Sequence, residues 1–306
     1  MTAFAELVAA SNFSFLRGAA HPAELVARAI ALGQAGIGIA DRNSVAGVVR
    51  AHAALRDARE AGAVEAPFTL AAGARLVFAD GTPEIVAYPA DRAGWGRLCR
   101  LLTLGKRRAG KGACTLHLAD LLDHAEGLLL IVMPPESEEE AAPALARLAA
   151  ARPGAVWLGA TMRYRGDDRR RLARLARLAG AAGVPLLATN DVLYDVPARR
   201  PLQDVLTCIR EKSTLDEAGR RLEANAERHL KPPAEMARLF RDAPEAVAES
   251  TRLLARIAFS LDQLRYEYPH EPVPPGWSPQ DWLEELVRRR LPLRYPEGAP
   301  PKVVAL

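Results

Sequence analysis

Short apolar segments alternate with amphipathic segments along the first 196 residues of the chain. The apolar segments, which we predict to be β-strands, are residues 3–10, 37–40, 68–78, 84–88, 127–133, 156–160 and 184–188. The amphipathic segments carry apolar residues every three or four positions, which predicts helices at 22–32, 45–61, 94–107, 116–124, 136–151 and 167–182. Strands that alternate with helices predict an α/β fold with a parallel sheet, and the regular spacing favours a barrel.

The hydrophobic pattern changes after residue 196. Helical periodicity continues at 200–211, 233–240, 245–259 and 279–290, and prolines concentrate between 269 and 279. We therefore expect three parts. They are a barrel domain (1–196), a helical extension packed on the barrel (197–268), and a proline-rich linker with a helix (269–306).

Composition narrows the classes of protein to consider. The 306 residues are 49% hydrophobic and 25% charged, with a net charge of +4, which indicates a globular chain that permits contact with nucleic acid without requiring it. Cys99, Cys114 and Cys208 form no CxxC motif, so a reducing, cytoplasmic location is expected. The sequence has no signal-peptide pattern and no apolar stretch of about 20 residues, so we expect no membrane contact.

Polar residues cluster in the loops that follow the predicted strands, and in an α/β barrel these loops form the chemical face. They are Ser11, Asn12, Ser14, Arg17, Asp41, Arg42, Asn43, Arg75, Asn190 and Asp191, with Glu84 on a hairpin predicted around Asp80-Gly81. A hydrolytic metal site needs several histidine and carboxylate ligands that converge on one point. These loops offer few carboxylates, no histidine and several arginines, so they do not predict such a site.

A second candidate is the segment 92–119, which contains seven Lys or Arg residues and no acid. Residues 105–112 resemble a P-loop, but Gly112 replaces the Ser/Thr and the segment follows a helix instead of a strand, so we reject that interpretation. Two interpretations stay open. The segment is either a solvated basic loop or a contact to DNA phosphates through Lys106, Arg107, Arg108 and Lys111.

Several of these loops resemble the motifs of PHP (polymerase and histidinol phosphatase) domains. Residues 11–18 (Ser-Asn-Phe-Ser-Phe-Leu-Arg-Gly) are similar to the end of the first motif, in which His-x-His precedes the serine segment. Residues 39–49 are similar to the second motif, Thr-Asp-His-x-x-x-x-Gly, and residues 188–194 to the last one, Asp-x-His-Tyr. The resemblance implies a PHP-type distorted TIM-like barrel followed by a helical extension.

The resemblance extends past the barrel to bacterial error-prone, DnaE-type (C-family, ImuC group) DNA polymerases. The segments that carry it are 97–103, 201–210, 225–231 and 266–269. It implies the N-terminal region of a polymerase for translesion synthesis after DNA damage. The polymerase carboxylates and their Mg²⁺ are then expected in a palm beyond this region, so the chain by itself is expected to be inactive and to hold no cofactor.

The resemblance also shows where the ligands of a PHP metal cluster would fall. The positions occupied by other residues are Val8, Ala10, Arg17, Arg42, Arg75 and Leu193, whereas Asp191 is retained and Glu84 lies near another ligand position. We therefore expect no metal and no catalytic residue. Asp191 is either a remnant or, as we favour, a buried carboxylate paired with Arg42 or Arg75.

Three functions follow from these considerations. The first is a scaffold that packs on the rest of a polymerase chain, with a basic face that touches DNA weakly. The second is a metal-dependent PHP phosphoesterase similar to histidinol-phosphate phosphatase, against which the missing ligands argue. The third is an interaction module for mutasome proteins or the sliding clamp, which no sequence feature decides.

Overall fold

The computed structural model describes residues 3–265 and 272–304 and divides the chain into two units, Met1–Gln263 and Leu264–Leu306. The first unit contains seven strands. They are β1 (Ala5–Ala9), β2 (Gly36–Arg42), β3 (Thr69–Leu76), β4 (Ile85–Pro89), β5 (Leu128–Val132), β6 (Val156–Ala160) and β7 (Leu186–Ala188). Each predicted strand is present, and the sheet keeps the strands in chain order, which confirms the α/β fold.

The sheet is mixed because β4 runs against both of its neighbours. The reversal between β3 and β4 was predicted as a hairpin, whereas the reversal between β4 and β5 was not predicted. The hairpin signal at Asp80-Gly81 explains the first reversal, since Gly81 adopts a φ of 78° and the Asp80 side chain accepts hydrogen bonds from Thr82 N and Leu118 N. The other strand pairs, β1 with β2, β2 with β3, β5 with β6 and β6 with β7, are parallel.

The sheet curls until its two ends meet. Just after β7, Val192 forms a parallel bridge with Ala9, and its N–H donates to Val8 O at 2.8 Å while its carbonyl accepts from Ala10 N at 2.9 Å. A single isolated bridge, and not a continuous ladder, joins the two edges of the sheet in the described residues. The result is the distorted barrel that the resemblance implies.

The inside of the barrel is filled around one aromatic side chain. Tyr88 on β4 is fully buried and donates its hydroxyl to Leu7 O at 2.6 Å. Gly38 and Gly73 on the neighbouring strands make room for it, because a Cβ at Gly38 would lie 2.1 Å from the hydroxyl oxygen and a Cβ at Gly73 would lie 2.5 Å from the ring. The barrel is therefore a packed core and not a channel.

Helices surround the sheet and continue beyond it. The first unit contains α1 (Pro22–Ala31), α2 (Val48–Glu60), α3 (Arg92–Arg107), α4 (Leu118–His124), α5 (Ala142–Ala151), α6 (Asp168–Ala182), α7 (Arg200–Glu211), α8 (Leu215–Ala218), α9 (Pro233–Leu239) and α10 (Pro244–Leu254). The helix expected over 136–151 starts as a 3-10 turn, Glu138–Ala141, and becomes an α-helix at Ala142, where Pro143 occupies the first turn.

The helical region after the barrel packs directly on the strands. The Ser250 hydroxyl on α10 accepts a hydrogen bond from Ala5 N at 3.1 Å, and Glu249 accepts one from the Trp157 indole at 2.9 Å. Leu253 and Leu254 join the hydrophobic cluster inside the barrel. The proposed boundaries at residues 196 and 268 stay predictions.

The second unit contains α11 (Pro279–Arg294) and α12 (Pro301–Val304). Ser278 caps α11 by accepting a hydrogen bond from Asp281 N. The motif at 266–269 lies outside the described residues. No helix in the described part of the chain is long and apolar enough to span a membrane.

Candidate functional site at the strand ends

Three of the former ligand positions carry apolar side chains that belong to the core. Val8 is 1% exposed and packs inside the barrel, and Ala10 and Leu193 pack against each other with Ala19 and Tyr194. Hydrocarbon side chains provide no lone pair for a metal ion. The positions where the resemblance places histidine ligands are therefore occupied by side chains of the hydrophobic core.

Asp191 lies at the centre of an arginine cluster, which consists of Asp191, Arg75, Arg163 and Arg228. Its Oδ2 is 2.6 Å from Arg163 Nη2 and 2.7 Å from Arg228 Nη2, and its Oδ1 accepts a hydrogen bond from Arg75 Nη2. The Arg228 Nε also donates to the Asp191 carbonyl oxygen at 2.8 Å. All four side chains are nearly buried.

Two further carboxylates extend the cluster. Glu84 contacts Arg42 at 2.8 Å and Arg75 at 3.4 Å, and Glu223 contacts Arg228 at 2.6 Å. Of the two arginines expected as partners of Asp191, Arg75 forms the ion pair, whereas Arg42 pairs with Glu84. Glu84 takes part in this network of charges as a partner of arginines.

The electrostatics of the cluster follow from its burial. Burial by itself would raise the pKa of Asp191, but Arg228, Arg75 and Arg163 outweigh it and hold that pKa well below its usual range. Burial, followed by the charge of Arg228, lowers the pKa of Arg163 to about 10, so this guanidinium still carries its charge at neutral pH. Asp191 is thus ionised at neutral pH and surrounded by cations.

Sequence reasoning missed three members of this network, Arg163, Arg228 and Glu223. Arg163 follows β6, so the same strand-end rule that singled out Arg75 could have found it. Arg228 and Glu223 come from the helical region, in a segment without regular structure. Nothing local in the sequence indicates that this segment returns to the strand ends.

A second buried carboxylate, Asp41, organises the loop after β1. It accepts hydrogen bonds from Ser11 N and Ser11 Oγ, both at 2.8 Å, and from Ser14 Oγ at 2.7 Å. Ser14 Oγ in turn accepts from Arg42 N at 3.0 Å. Burial raises the pKa of Asp41. The motif residues Ser11, Ser14 and Asp41 therefore fix loop geometry, and this accounts for them without a catalytic role.

A third buried carboxylate, Glu6 on β1, was not singled out from the sequence. It accepts hydrogen bonds from Val8 N at 2.9 Å, from Asn190 N at 2.7 Å and from the Thr189 hydroxyl. These bonds connect β1 to the segment after β7. Burial raises the pKa of Glu6 to about 7, and in the described ranges no Lys or Arg forms an ion pair with Glu6 that would favour the charged form.

The predicted DNA-binding residues lie at the end of α3 and in the loop after it. Lys106 and Arg107 are in the last turn of the helix, Lys111 is in the loop, and all three are exposed. Arg108 instead forms an ion pair at 2.6 Å with Asp120, which is 8% exposed. Arg108 is therefore part of a structural contact, and the free positive charges are the other three.

The donor set does not fit a metal cluster. Asp191, the carboxylate retained at a ligand position, is covered by guanidinium groups, and in the described ranges no three His, Cys, Asp or Glu side chains converge on a point where a metal ion could sit. A guanidinium supplies fixed positive charge and no ligand atom. The expectation that the protein binds no metal stays a prediction until its metal content is measured.

Among solved structures, an amidohydrolase from Chromobacterium violaceum with bound sulfate and no metal overlaps 62% of this chain and 88% of its own. The sequence identity is 19% and the TM-score is 0.41. This similarity is too low to add information on function.

The sequence comparisons are much stronger. The PHP domain family matches residues 6–157. Proteins named error-prone DNA polymerase from Rhodopseudomonas palustris (strain BisB5) and Brucella abortus are each 56% identical, over 99% and 100% of this chain, and the chain spans 27% and 28% of their lengths. A relative of the same name from Bradyrhizobium sp. (strain ORS 278) is 56% identical over 92% of this chain and 24% of its own length. Residues 6–157 therefore match the PHP domain family, and the chain is similar, along essentially its whole length, to about a quarter of proteins named error-prone DNA polymerase.

Proposed function

We propose that this chain is a non-catalytic scaffold within an error-prone DNA polymerase that copies damaged templates in the cytoplasm. The observation that carries this proposal is the 56% identity, along essentially the whole chain, with relatives of that name. DNA synthesis, with its Mg²⁺, would be performed by other parts of such a polymerase. The partners of this region would be the rest of the polymerase chain and, in addition, mutasome proteins or the sliding clamp.

The direct test uses the whole polymerase that contains this chain, with and without residues 1–263. We expect the deletion to lower the yield of folded polymerase and its extension of a primer past an abasic site, because the core loses the surface on which it packs. A deleted polymerase that is as stable and as active as the intact one would contradict the scaffold proposal. Loss of binding to the clamp alone, with full activity, would support an interaction module instead.

The non-catalytic part of the proposal is supported by the residues at the strand ends. Arg42 and Arg75 bind Glu84, and Asp191 is bound by three arginines, so the groups that would hold a hydrolytic metal are already occupied by each other. We expect the purified chain to contain far less than one equivalent of zinc, manganese or iron and not to hydrolyse histidinol phosphate. Two or three equivalents by elemental analysis after desalting, with hydrolysis, would favour the phosphoesterase.

Weak contact with DNA is the second part of the proposal. An open groove of about 790 Å³ lies beside the end of α3, and its lining includes Phe13, Phe15, Lys106 and Lys111. Phe15 is 81% exposed, an unusual position for an aromatic side chain. Aromatic rings beside positive charges are the combination that single-stranded nucleic acid uses for base stacking and phosphate contact. We therefore propose this groove as the DNA-contacting face.

A further inference from the structure

A small cleft lies between the strand ends and α7, on the side of the arginine cluster that faces α7. Its volume is about 280 Å³, and six arginines line it against three carboxylates. The arginines are Arg17, Arg42, Arg75, Arg210, Arg221 and Arg228, and the carboxylates are Glu84, Asp191 and Glu223. The lining therefore carries an excess of positive charge that its own carboxylates do not balance.

Two of the six arginines account for the excess of positive charge. Arg75 and Arg228 are held by Asp191, Glu84 and Glu223, whereas Arg17 and Arg221 form no ion pair with any residue in the described ranges. Arg17 is half-buried, and burial followed by the charges of Arg42 and Arg210 lowers its pKa. Arg42 is paired with Glu84 and Arg210 with Glu211, which offsets part of the positive charge, but Arg17 and Arg221 have no such partner in the described ranges. The arginines that converge here still repel one another, and an anion that binds between them relieves the repulsion.

A second, independent feature of the cleft is an unpartnered buried amide. Gln203 and Thr207 lie on the face of α7 that lines the cleft, on the same side as Arg210. Gln203 is 3% exposed, and its Oε1 has no hydrogen-bond partner, although its Nε2 lies 3.5 Å from Thr207 Oγ1. Because the Thr207 hydroxyl donates to Gln203 O at 2.9 Å, the amide keeps its Nε2 toward Thr207 and leaves Oε1 as an unpartnered acceptor, to which a protonated phosphate oxygen can donate. A buried polar group without a partner is costly, and this cost is removed when a ligand supplies the partner.

From these two observations we propose that the cleft is a binding site for a phosphate group. Guanidinium groups bind phosphate oxygens in pairs through parallel N–H donors. A phosphate also carries more negative charge than a carboxylate, so it neutralises more of the excess positive charge of the cleft. Arg17, Arg42 and Arg210 would contact the phosphate, with Arg221 at the opening and Gln203 as the buried polar partner. A site that binds a cation in active PHP domains would here bind an anion.

The phosphate has two possible sources, free diphosphate or the terminal phosphate of a nucleic-acid strand. Arg17 and Arg42 line both this cleft and the groove of Phe13 and Phe15, so a strand in the groove could place its end in the cleft. The strand-end source rests on the proposed DNA contact, whereas free diphosphate does not. Failure of DNA binding would therefore leave the site itself testable.

The test is titration calorimetry with inorganic phosphate and with pyrophosphate at constant ionic strength, with chloride and acetate as reference anions. We expect saturable binding of both phosphate species and none of acetate. Arg17→Gln should weaken binding about tenfold, which corresponds to one lost charge-assisted hydrogen bond. Arg221→Gln should weaken it less. Both side chains lack ion pairs in the described part of the chain, so neither change is expected to disturb the fold.

The matched control is Arg177→Gln on the exposed side of α6, which should bind phosphate like the wild type. A 5′-phosphorylated oligonucleotide that binds more tightly than its unphosphorylated counterpart, with the gain lost in Arg17→Gln, would identify the strand end as the source. Pyrophosphate binding without that gain would identify the free anion. Phosphate heats equal to those of chloride, or equal affinity in wild type and Arg17→Gln, would overturn the proposal.

Discussion

Two regions of this protein are rich in positive charge, and they use it in opposite ways. In the arginine cluster around Asp191, each guanidinium faces a carboxylate within the barrel, and the side chains are nearly buried. At the end of α3, Lys106, Arg107 and Lys111 point into solvent. Charge in the first region should therefore determine the stability of the fold, and charge in the second should determine only what the surface binds.

The largest effect is expected from removal of the Asp191 charge. Asp191→Asn should cost about 3–5 kcal/mol of unfolding free energy, because Arg163 loses its ion-pair partner while it stays buried. Asparagine is the appropriate replacement, since residue 191 has a φ of 49° and asparagine tolerates this left-handed conformation better than alanine. The measurement is denaturant unfolding at pH 7.

The pH dependence of the unfolding free energy provides a second measurement on the same variant. Because the folded state lowers the pKa of Asp191, the stabilisation is present above the unfolded-state pKa and is lost as the pH falls toward the folded-state value. Acid should therefore destabilise the wild type more than Asp191→Asn. A loss of less than about 1 kcal/mol in this variant at pH 7 would mean that the buried cluster does not stabilise the fold.

Glu6 provides a further comparison, because it is a buried carboxylate on β1 that forms no ion pair within the described part of the chain. Its pKa is raised from 4.5 to about 7, so folding favours the protonated form. Below pH 4.5 Glu6 is protonated in both the folded and the unfolded protein, so it costs no stability. As the pH rises to about 7, the unfolded protein ionises this group more readily than the folded protein, and the free energy of unfolding falls. The loss is roughly 3 kcal/mol, from about 1.4 kcal/mol for each pKa unit.

The experiment compares wild type and Glu6→Gln by denaturant unfolding from pH 4.5 to pH 8. The difference between the two profiles isolates Glu6, because the histidines titrate equally in both. We expect the stability of the wild type to fall relative to that of the variant over this range. Parallel profiles would show that Glu6 keeps an ordinary pKa. The paired arginines would then not explain a difference in pKa between Asp191 and Glu6.

The difference between the two carboxylates also shows how far the sequence can predict the site. The helices and strands were predictable because the spacing of apolar residues within each segment indicates its type. The predicted bounds of β6 and α7, Val156–Ala160 and Arg200–Glu211, match those of the structure. The pairing of Asp191 with an arginine followed from the resemblance, which places Arg42, Arg75 and Asp191 at ligand positions of one metal cluster, but the choice between Arg42 and Arg75 came only from the structure.

Other contacts depend on packing that no local pattern specifies. Arg228 reaches Asp191 from a segment 37 residues further along the chain, where neither strand nor helix fixes its direction. The second reversal of β4, against β5, lies across α3 and α4 and is likewise non-local. The burial of Glu6 could not be read from a single acidic residue in an apolar strand, because such a residue also fits an exposed position.

The smallest effect on stability, and the largest on binding, is expected at the end of α3. The triple variant Lys106→Glu, Arg107→Glu, Lys111→Glu should change the unfolding free energy by less than about 1 kcal/mol, since exposed side chains without buried partners contribute little. Arg108 is left in place because its loss would strand the carboxylate of Asp120, which is nearly buried. The same variant should abolish DNA binding if the groove beside α3 is the DNA face.

The binding measurement is fluorescence anisotropy with labelled single-stranded DNA at two salt concentrations. Contact with three phosphates predicts a slope of log affinity against log salt of about −2 for the wild type. The charge-matched control reverses Arg147, Arg170 and Arg177, which are exposed on α5 and α6, and should bind DNA like the wild type. If the control loses binding equally, only net charge matters and the groove has no special role. If the first variant binds normally, the basic residues of α3 are solvated surface, and the contrast between the two regions then rests on stability alone.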